Sequence, residues 1–182
     1  MKRNYMRQAL TILETSRLIL REFRPDDLNA LAKVLSDPET MRFYPAPLDH
    51  AGVSDWIERN RRRYEKDGFG LWAMTLKSSG ELIGDCGLIR QVVDGTEQVE
   101  IGYHVHRDLW RNGLATEAAR ACRDYGFAEL PVDRLISLIR PENQPSRRVA
   151  EKNGMTIWKE VLWRGFPHLM YAIPRHRATT EA

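Results

Sequence analysis

The sequence predicts a mixed α/β domain with helices on the faces of a mostly antiparallel sheet. Three observations carry this. Strand-like and helix-like patterns alternate in the order β-α-α-β-β-β-α-β-α-β-β. Three strand patterns in the middle follow one another across short polar turns, as in an antiparallel meander. Residues 97–119, EQVEIGYHVHRDLWRNGLATEAA, change period from two to 3.6 within one stretch.

The elements follow in order. Residues 1–14 read as an N-terminal arm, either a short helix or a disordered lead. Residues 17–23 read as the first strand. Pro25 opens a helix to about Ser36, with Asp26 and Asp27 in the first turn, where the helix dipole favours them. Leu28, Leu31, Ala32 and Leu35 form its apolar stripe. Residues 41–49 are a loop with two prolines and two aromatics. A second helix spans about 51–66 and stops at Gly68 and Gly70. Residues 71–77, 81–90 and 97–106 are the meander, turning at Ser78-Ser79-Gly80 and at Val93-Asp94-Gly95-Thr96. A helix over 115–129 is followed by the near-continuous apolar run Leu135 to Ile139, as in a buried strand. Ser146 is placed to cap a short helix to Asn153, and Gly154 ends it. Residues 155–164 and 168–174 close the chain as a hairpin, and 176–182 read as a flexible tail. There is no internal repeat and no linker, so 15–175 reads as one domain.

Composition narrows the classes. A chain of 182 residues with 42% hydrophobic and 29% charged residues is that of an ordinary globular domain. The net charge of +3 is compatible with an anionic ligand. No arginine-rich stripe with interleaved aromatics argues for nucleic acid. Arg59, Arg61, Arg62 and Arg63 are flanked by Glu58 and Glu65 and read as a solvated face. Cys86 and Cys122 read as small core residues in a reducing compartment. The first residues lack the apolar core of a signal peptide, and no run approaches the ~20 apolar residues of a membrane span. A cytoplasmic protein that does not enter the membrane is the expectation.

Residues 97–119 hold the first chemistry. Val99, Ile101, Tyr103 and Val105 occupy one face of a strand and Glu100, Gly102 and His104 the other. Ala115, Ala118, Ala119 and Cys122 then mark one face of a helix. The first amides of a helix have no intrahelical partner, and its dipole attracts anions there. Gly113 and Ala115 carry no bulk to keep a ligand off the backbone, which points to a phosphate-type anion.

Trp110-Arg111-Asn112-Gly113-Leu114-Ala115 resembles the Arg/Gln-x-x-Gly-x-Gly/Ala signature of the GNAT N-acetyltransferases, with Trp110 at the usual Arg/Gln position and Arg111 beside it. Three further patches are similar to the RimJ/RimL-like branch, which includes ribosomal-protein N-terminal acetyltransferases. They are Thr15-Ser16-Arg17-Leu18-Ile19-Leu20-Arg21, Gly84-Asp85-Cys86-Gly87-Leu88-Ile89, and the run from Asn143 through Ser146, Val149, Glu151, Lys152 and Gly154 to Met155. The resemblance implies a GNAT fold with about four helices, its sheet splayed between the fourth and fifth strands, at 97–106 and 134–140. It implies acetyl-CoA as cosubstrate, with the pyrophosphate on Arg111, Asn112, Gly113, Leu114, Ala115 and Thr116. The thioester carbonyl would meet backbone N–H groups of Val105, His106 and Arg107, and Asn143 and Ser146 would lie near the pantetheine and sulfur.

Acetyl transfer to an amine needs a neutral amine, donors for the tetrahedral oxyanion and a proton for the departing thiolate. Glu100 is the first candidate for general base; the alternative is a surface or salt-bridged glutamate. His104, on the same face, either helps move the proton or is a polar strand residue. Ser146 either donates to the leaving sulfur or caps its helix. The tyrosine acid of many relatives is replaced by Ala150. His104 and His106 stand two apart but have no third ligand, and no metal is expected. By the resemblance the acceptor pocket lies among the 41–49 loop, the second helix and the 163–168 turn. Phe43, Tyr44, Trp163 and Phe166 are available there as walls or as core.

The expected function is acetyl transfer from acetyl-CoA to a primary amine, foremost a protein N-terminal α-amine. The alternatives are a small amine (a polyamine, an amino-acid derivative or an antibiotic) and a non-catalytic acyl-CoA sensor. A monomer and a homodimer are both open.

Overall fold

The computed structural model describes residues 10–175. One eight-stranded sheet has the order β1-β2-β3-β4-β5-β6-β8-β7. Its strands are β1 (Thr11–Glu14), β2 (Leu18–Arg21), β3 (Leu71–Leu76), β4 (Leu82–Val93), β5 (Thr96–Val105), β6 (Arg134–Ile139), β7 (Thr156–Trp163) and β8 (Phe166–Pro174). The helices are α1 (Leu28–Leu35), α2 (His50–Asp67), α3 (Leu114–Glu129) and α4 (Gln144–Lys152). Neighbouring strands are antiparallel except β5 and β6, which run parallel and pair only at Glu100 and Ile136. The mixed α/β class and the mostly antiparallel sheet are as the sequence predicts, and the splay between the 97–106 and 134–140 segments is as the resemblance implies.

Strand alternation divides the core between the two faces. Trp72, Met74, Val99 and Ile101 pack with Leu114, Ala118, Ala119 and Cys122 of α3 and Ala150 of α4. Leu71, Ala73 and Ile89 pack with Leu31, Val34 and Leu35 of α1 and Val53 and Ile57 of α2. Each fully buried leucine or isoleucine stabilises the fold by about 1.5–3 kcal/mol. Two-residue turns with positive φ close the β4–β5 and β7–β8 hairpins, at Asp94 (48°) and Gly95 (74°) and at Arg164 (50°) and Gly165 (81°). That twist suits the flanking strands. Gly84 is a packing requirement, since a Cβ there would lie 2.0 Å from the His104 carbonyl oxygen. The close approach brings Asp85 level with His104 across the β4–β5 ladder.

The sequence reading is corrected in three places. Residues Thr11–Glu14, given to the arm, form the edge strand β1, paired with β2; the rest of the arm and the 176–182 tail lie outside the described residues. The helix opened by Pro25 starts as a one-turn 3-10 segment, Pro25–Asp27, because the Asp27 carboxylate is turned back onto the Arg24 N–H (2.7 Å) and the Arg21 guanidinium. The cap of α4 is Asn143, whose Oδ1 accepts the Ser146 N–H at 3.2 Å. Ser146 itself lies inside the first turn.

Candidate active site

The site is built on the interrupted ladder between β5 and β6. Past Glu100 and Ile136, side chains replace the backbone bonds that would close the sheet. Ser137 Oγ donates to the Ile101 carbonyl at 2.8 Å. The Leu138 N–H donates to Glu100 Oε1 at 3.2 Å. The Tyr103 hydroxyl crosses to α4 and donates to the Ser146 carbonyl at 2.8 Å. The His106 N–H donates to Ile83 of β4 at 2.8 Å. Backbone groups alternate in direction along a strand, so the N–H groups of Tyr103 and Val105 face the gap. Of the three amides expected to hold a thioester carbonyl, that of Val105 is therefore aimed there and that of His106 is committed to the sheet. Arg107 reaches away to Asp37 at 3.3 Å.

At the mouth of the gap the chain turns into α3. Arg111 and Gly113 both adopt positive φ, 65° and 77°. Gly113 is the N-cap of α3, and no side chain caps that helix. The first internal bond runs from the Glu117 N–H to the Gly113 carbonyl at 3.0 Å. The amides of Leu114, Ala115 and Thr116 thus precede the hydrogen-bonded part of the helix. Leu114 is buried and anchors the turn, while Arg111, Asn112 and Gly113 are exposed. Trp110 has a structural reason to replace Arg or Gln: its indole N–H donates to the Val105 carbonyl at 2.8 Å, pinning the turn to the end of β5.

Glu117, in the first turn of α3, ties this corner to the β1–β2 connection. It accepts from Thr15 Oγ1 (2.6 Å), Ser16 Oγ (3.0 Å), the Arg17 N–H (2.9 Å) and Arg17 Nε (2.7 Å). Burial alone would raise its pKa, but the hydrogen bonds from Thr15, Arg17 and Ser16 outweigh this and hold the carboxyl at about 2. Arg17 also donates to the Asn112 carbonyl at 2.9 Å.

On the opposite face Glu100 is partly buried, its Oε2 accepting from Gln91 Nε2 at 2.9 Å. Burial pushes its carboxyl above the usual range, and the donors Gln91 and Leu138, with Arg164 and His104 nearby, reverse only part of that. A glutamate with a raised pKa is a better proton acceptor near neutral pH.

His104 is buried in a network that the sequence reading missed. Its Nδ1 lies 2.7 Å from Asp85 Oδ1, and its Nε2 lies 2.7 Å from the Tyr44 hydroxyl. Asp85 is fully buried, and its other oxygen accepts from the Trp56 indole at 2.8 Å. A carboxylate holding Nδ1–H leaves Nε2 as acceptor for the tyrosine. Burial, with the Glu100 and Asp85 carboxylates nearby, pushes Tyr44 well above the ordinary tyrosine range, so its hydroxyl stays protonated. Tyr44 is nonetheless 44% exposed, so its ring reaches from the surface inward to His104. The signal for Asp85 was present: a lone carboxylate in the apolar run 82–89 needs buried partners. Tyr44 was offered only as a wall or core residue, and nothing local marked it as the partner of His104.

The gap thus joins an uncapped helix terminus, a free strand edge and a glutamate with a raised pKa. Asn143 and Ser146 stand at the start of α4 on the Tyr103 side, and the Ser146 hydroxyl makes no hydrogen bond among the described residues. Among those residues no cluster of three His, Cys, Asp or Glu could hold a metal, and no helix is long and apolar enough to cross a membrane. The family model for the acetyltransferase (GNAT) domain matches residues 17–156. The chain belongs to the GNAT acetyltransferases. The uncharacterized protein YkkB of Bacillus subtilis (strain 168) is 40% identical over 154 residues, 84% of this chain and 90% of that one. The acetyltransferase from Agrobacterium tumefaciens str. C58 is 25% identical with a TM-score of 0.79, covering 96% of this chain and 100% of that one. RimL, a ribosomal L7/L12 alpha-N-protein acetyltransferase, shares the fold at 17% identity and a TM-score of 0.74, over 92% of this chain and 95% of its own. GNAT acetyltransferases use acetyl-CoA as acyl donor, and the open strand edge beside an uncapped helix suits an extended thioester ending in a diphosphate.

Proposed function

We propose that this GNAT enzyme transfers the acetyl group of acetyl-CoA directly to a primary amine, and that the amine is the N-terminus of a protein. The observation that carries the reading is the β5–β6 gap, with the α3 amides at its mouth and Glu100 at its closed end. The diphosphate is held by the N–H groups of Gly113, Leu114, Ala115 and Thr116, with Arg111 and Asn112 alongside. The pantetheine arm lies along the free edge of β5. The Val105 N–H donates to the thioester oxygen, where negative charge develops in the tetrahedral intermediate.

Glu100, directly or through one water, takes the proton as the amine nitrogen bonds to the acyl carbon. The carbon–sulfur bond then breaks, and the departing thiolate gains a proton from Ser146 or from water. Asn143 holds the turn that presents Ser146. His104, fixed by Asp85 and Tyr44, keeps the acceptor side polar and oriented, and Tyr44 forms part of the wall that the amine passes. The protein α-amine is favoured over a lysine side chain because its pKa near 8 leaves a larger neutral fraction at pH 7. The place of action that fits this acceptor is the cytoplasm.

The test is thiol release from acetyl-CoA in the presence of a panel of amines, with mass spectrometry of the products. Acetylation of a peptide N-terminus supports the reading. Turnover only on small amines would move the acceptor to that class. Coenzyme A binding without turnover on any amine would make the chain a sensor.

A further inference from the structure

A second feature lies on the Glu100 side of the sheet. Arg59, Arg62, Arg63 and Lys66 stand at i, i+3, i+4 and i+7 of α2, which places them on one stripe. Arg59, Arg62 and Lys66 are exposed, as a solvated face requires, and Arg63 is half-buried. With Asp67 and with Arg90, Gln91, Val92 and Glu97 of the β4–β5 hairpin they line a cleft of about 350 Å³. Arg61, the neighbour that does not line it, pairs with Glu58 at 2.5 Å.

The charges in the cleft do not balance. Arg90 pairs with both carboxylates, Glu97 at 2.5 Å and Asp67 at 3.4 Å, and Asp67 is also near enough to act on Arg63. Arg59 lies over the Trp56 ring, and Arg63 donates to Asn60 Oδ1 at 3.0 Å. Among the described residues Arg59, Arg62, Arg63 and Lys66 have no carboxylate within ion-pair distance. Arg164, from the β7–β8 turn, lies close enough to Arg63 and Glu100 to act on both.

The cleft opens toward the catalytic side, because Gln91 both lines it and donates to Glu100. It is far from the diphosphate corner. The β4–β5 ladder runs from Gly84 opposite Val105 to Val93 opposite Thr96. Val99, opposite Arg90, is about 20 Å along β5 from Val105 at the strand rise of about 3.3 Å per residue. These cations are therefore not needed for coenzyme A.

We propose that this cleft binds the carboxylates of the acceptor, so that the substrate is a peptide whose N-terminal amine reaches Glu100 and whose next residues are acidic. The inference rests on the acetyltransferase reading above. An extended chain advances about 3.3–3.6 Å per residue, so side chains at the second to fourth positions lie within about 10 Å of the amine. A volume of this size suits several side-chain groups rather than one carboxylate. The same uncompensated charge repels polyamines and polycationic antibiotics.

Two measurements test it. The first is binding, by fluorescence anisotropy in the presence of coenzyme A, of labelled peptides that share an N-terminal serine and continue with glutamates, glutamines or lysines. The second is thiol release on the same peptides, on free glutamate and on spermidine. The glutamate peptide is expected to bind about tenfold or more tighter than the glutamine peptide, with the lysine peptide weakest, and added salt shrinks the difference. The double variant Arg62→Glu with Lys66→Glu is expected to cut the acidic preference about tenfold while coenzyme A affinity stays as in wild type. Arg61→Glu is the control and retains the preference. Equal binding of the three peptides, or a preference untouched by the double variant, overturns the proposal. Free glutamate acetylated as well as the acidic peptide overturns the peptide assignment. Tight acidic-peptide binding with no thiol release supports the cleft and counts against the catalytic reading.

Discussion

Two glutamates stand on the two sides of this site, and their environments drive them in opposite directions. Glu117, beside the diphosphate corner, receives four hydrogen bonds from the β1–β2 connection and is held ionised, at about 2. Glu100, at the closed end of the gap, accepts two hydrogen bonds, but burial outweighs them and its pKa rises. The first carboxylate is a permanent charge that fixes a helix to a turn. The second holds a proton more readily than an ordinary glutamate, the direction that the proposed base requires. Residue type is the same in both places; hydrogen-bond supply against desolvation decides the role.

The largest expected effect breaks the Glu100 side of this comparison. Glu100→Gln keeps an acceptor for the Leu138 N–H and removes the proton acceptor. Turnover should fall by about 10²–10⁴-fold near pH 7 and by less near pH 9, where more of the amine is already neutral. An equal loss at both pH values would make Glu100 a positioning residue. Next in size is Gly113→Glu, which adds bulk and charge against the proposed phosphates at a position with positive φ. Coenzyme A affinity by calorimetry should fall by about 100-fold or more, with the circular dichroism spectrum retained.

Asp85→Asn tests the partner network of the same side. It leaves an acceptor for Trp56 but no carboxylate for His104. Stability in urea should drop by about 2–3 kcal/mol, as when a buried charge-assisted pair is broken, and turnover by about tenfold. Tyr44→Phe should be milder, about 1 kcal/mol. The smallest effect sharpens the Glu117 side. A lowered folded pKa contributes stability above the unfolded value near 4.5, and that contribution is lost as pH falls through about 2. Glu117→Gln should therefore cost about 1 kcal/mol near pH 7, once solvent screening is allowed for, and progressively less as pH falls through about 2. Glu100 has the reverse sign. Its raised pKa gives stability below about pH 4.5 that is lost as pH rises through the folded value, so Glu100→Gln should slightly raise the melting temperature near pH 7.

Much of this was legible in the chain because local chemistry carried it. The period change in 97–119 located both β5 and the start of α3, and Gly113 marked the uncapped turn. The β4–β5 turn followed from Asp94-Gly95, and Arg164-Gly165 located the β7–β8 turn, although the reading carried that turn through Phe166 and Pro167, which belong to β8. Long-range pairing carried the rest. Ser146 looked like a cap because serine is a common N-cap residue, whereas Asn143 reaches its N–H from three residues before. Tyr44 bonds a histidine 60 positions away. The arginines of α2 read as a solvated face, and Arg59 and Arg62 are exposed; that they share a cleft with Arg90 depends on how α2 packs beside the β4–β5 hairpin. The strand at Thr11–Glu14 is four residues long, exposed at both ends and paired only on one side, so its pattern could not be separated from that of a loop.

The central claim is that acetyl-CoA occupies the β5–β6 gap with its diphosphate on α3. Amide hydrogen exchange with and without coenzyme A reads this at the groups concerned. The account predicts slower exchange at Tyr103 and Val105 on the strand edge and at Leu114, Ala115 and Thr116 on the helix, with little change at His106, which is already bonded to Ile83. Protection confined to other parts of the chain, with those five amides exchanging as before, would contradict it.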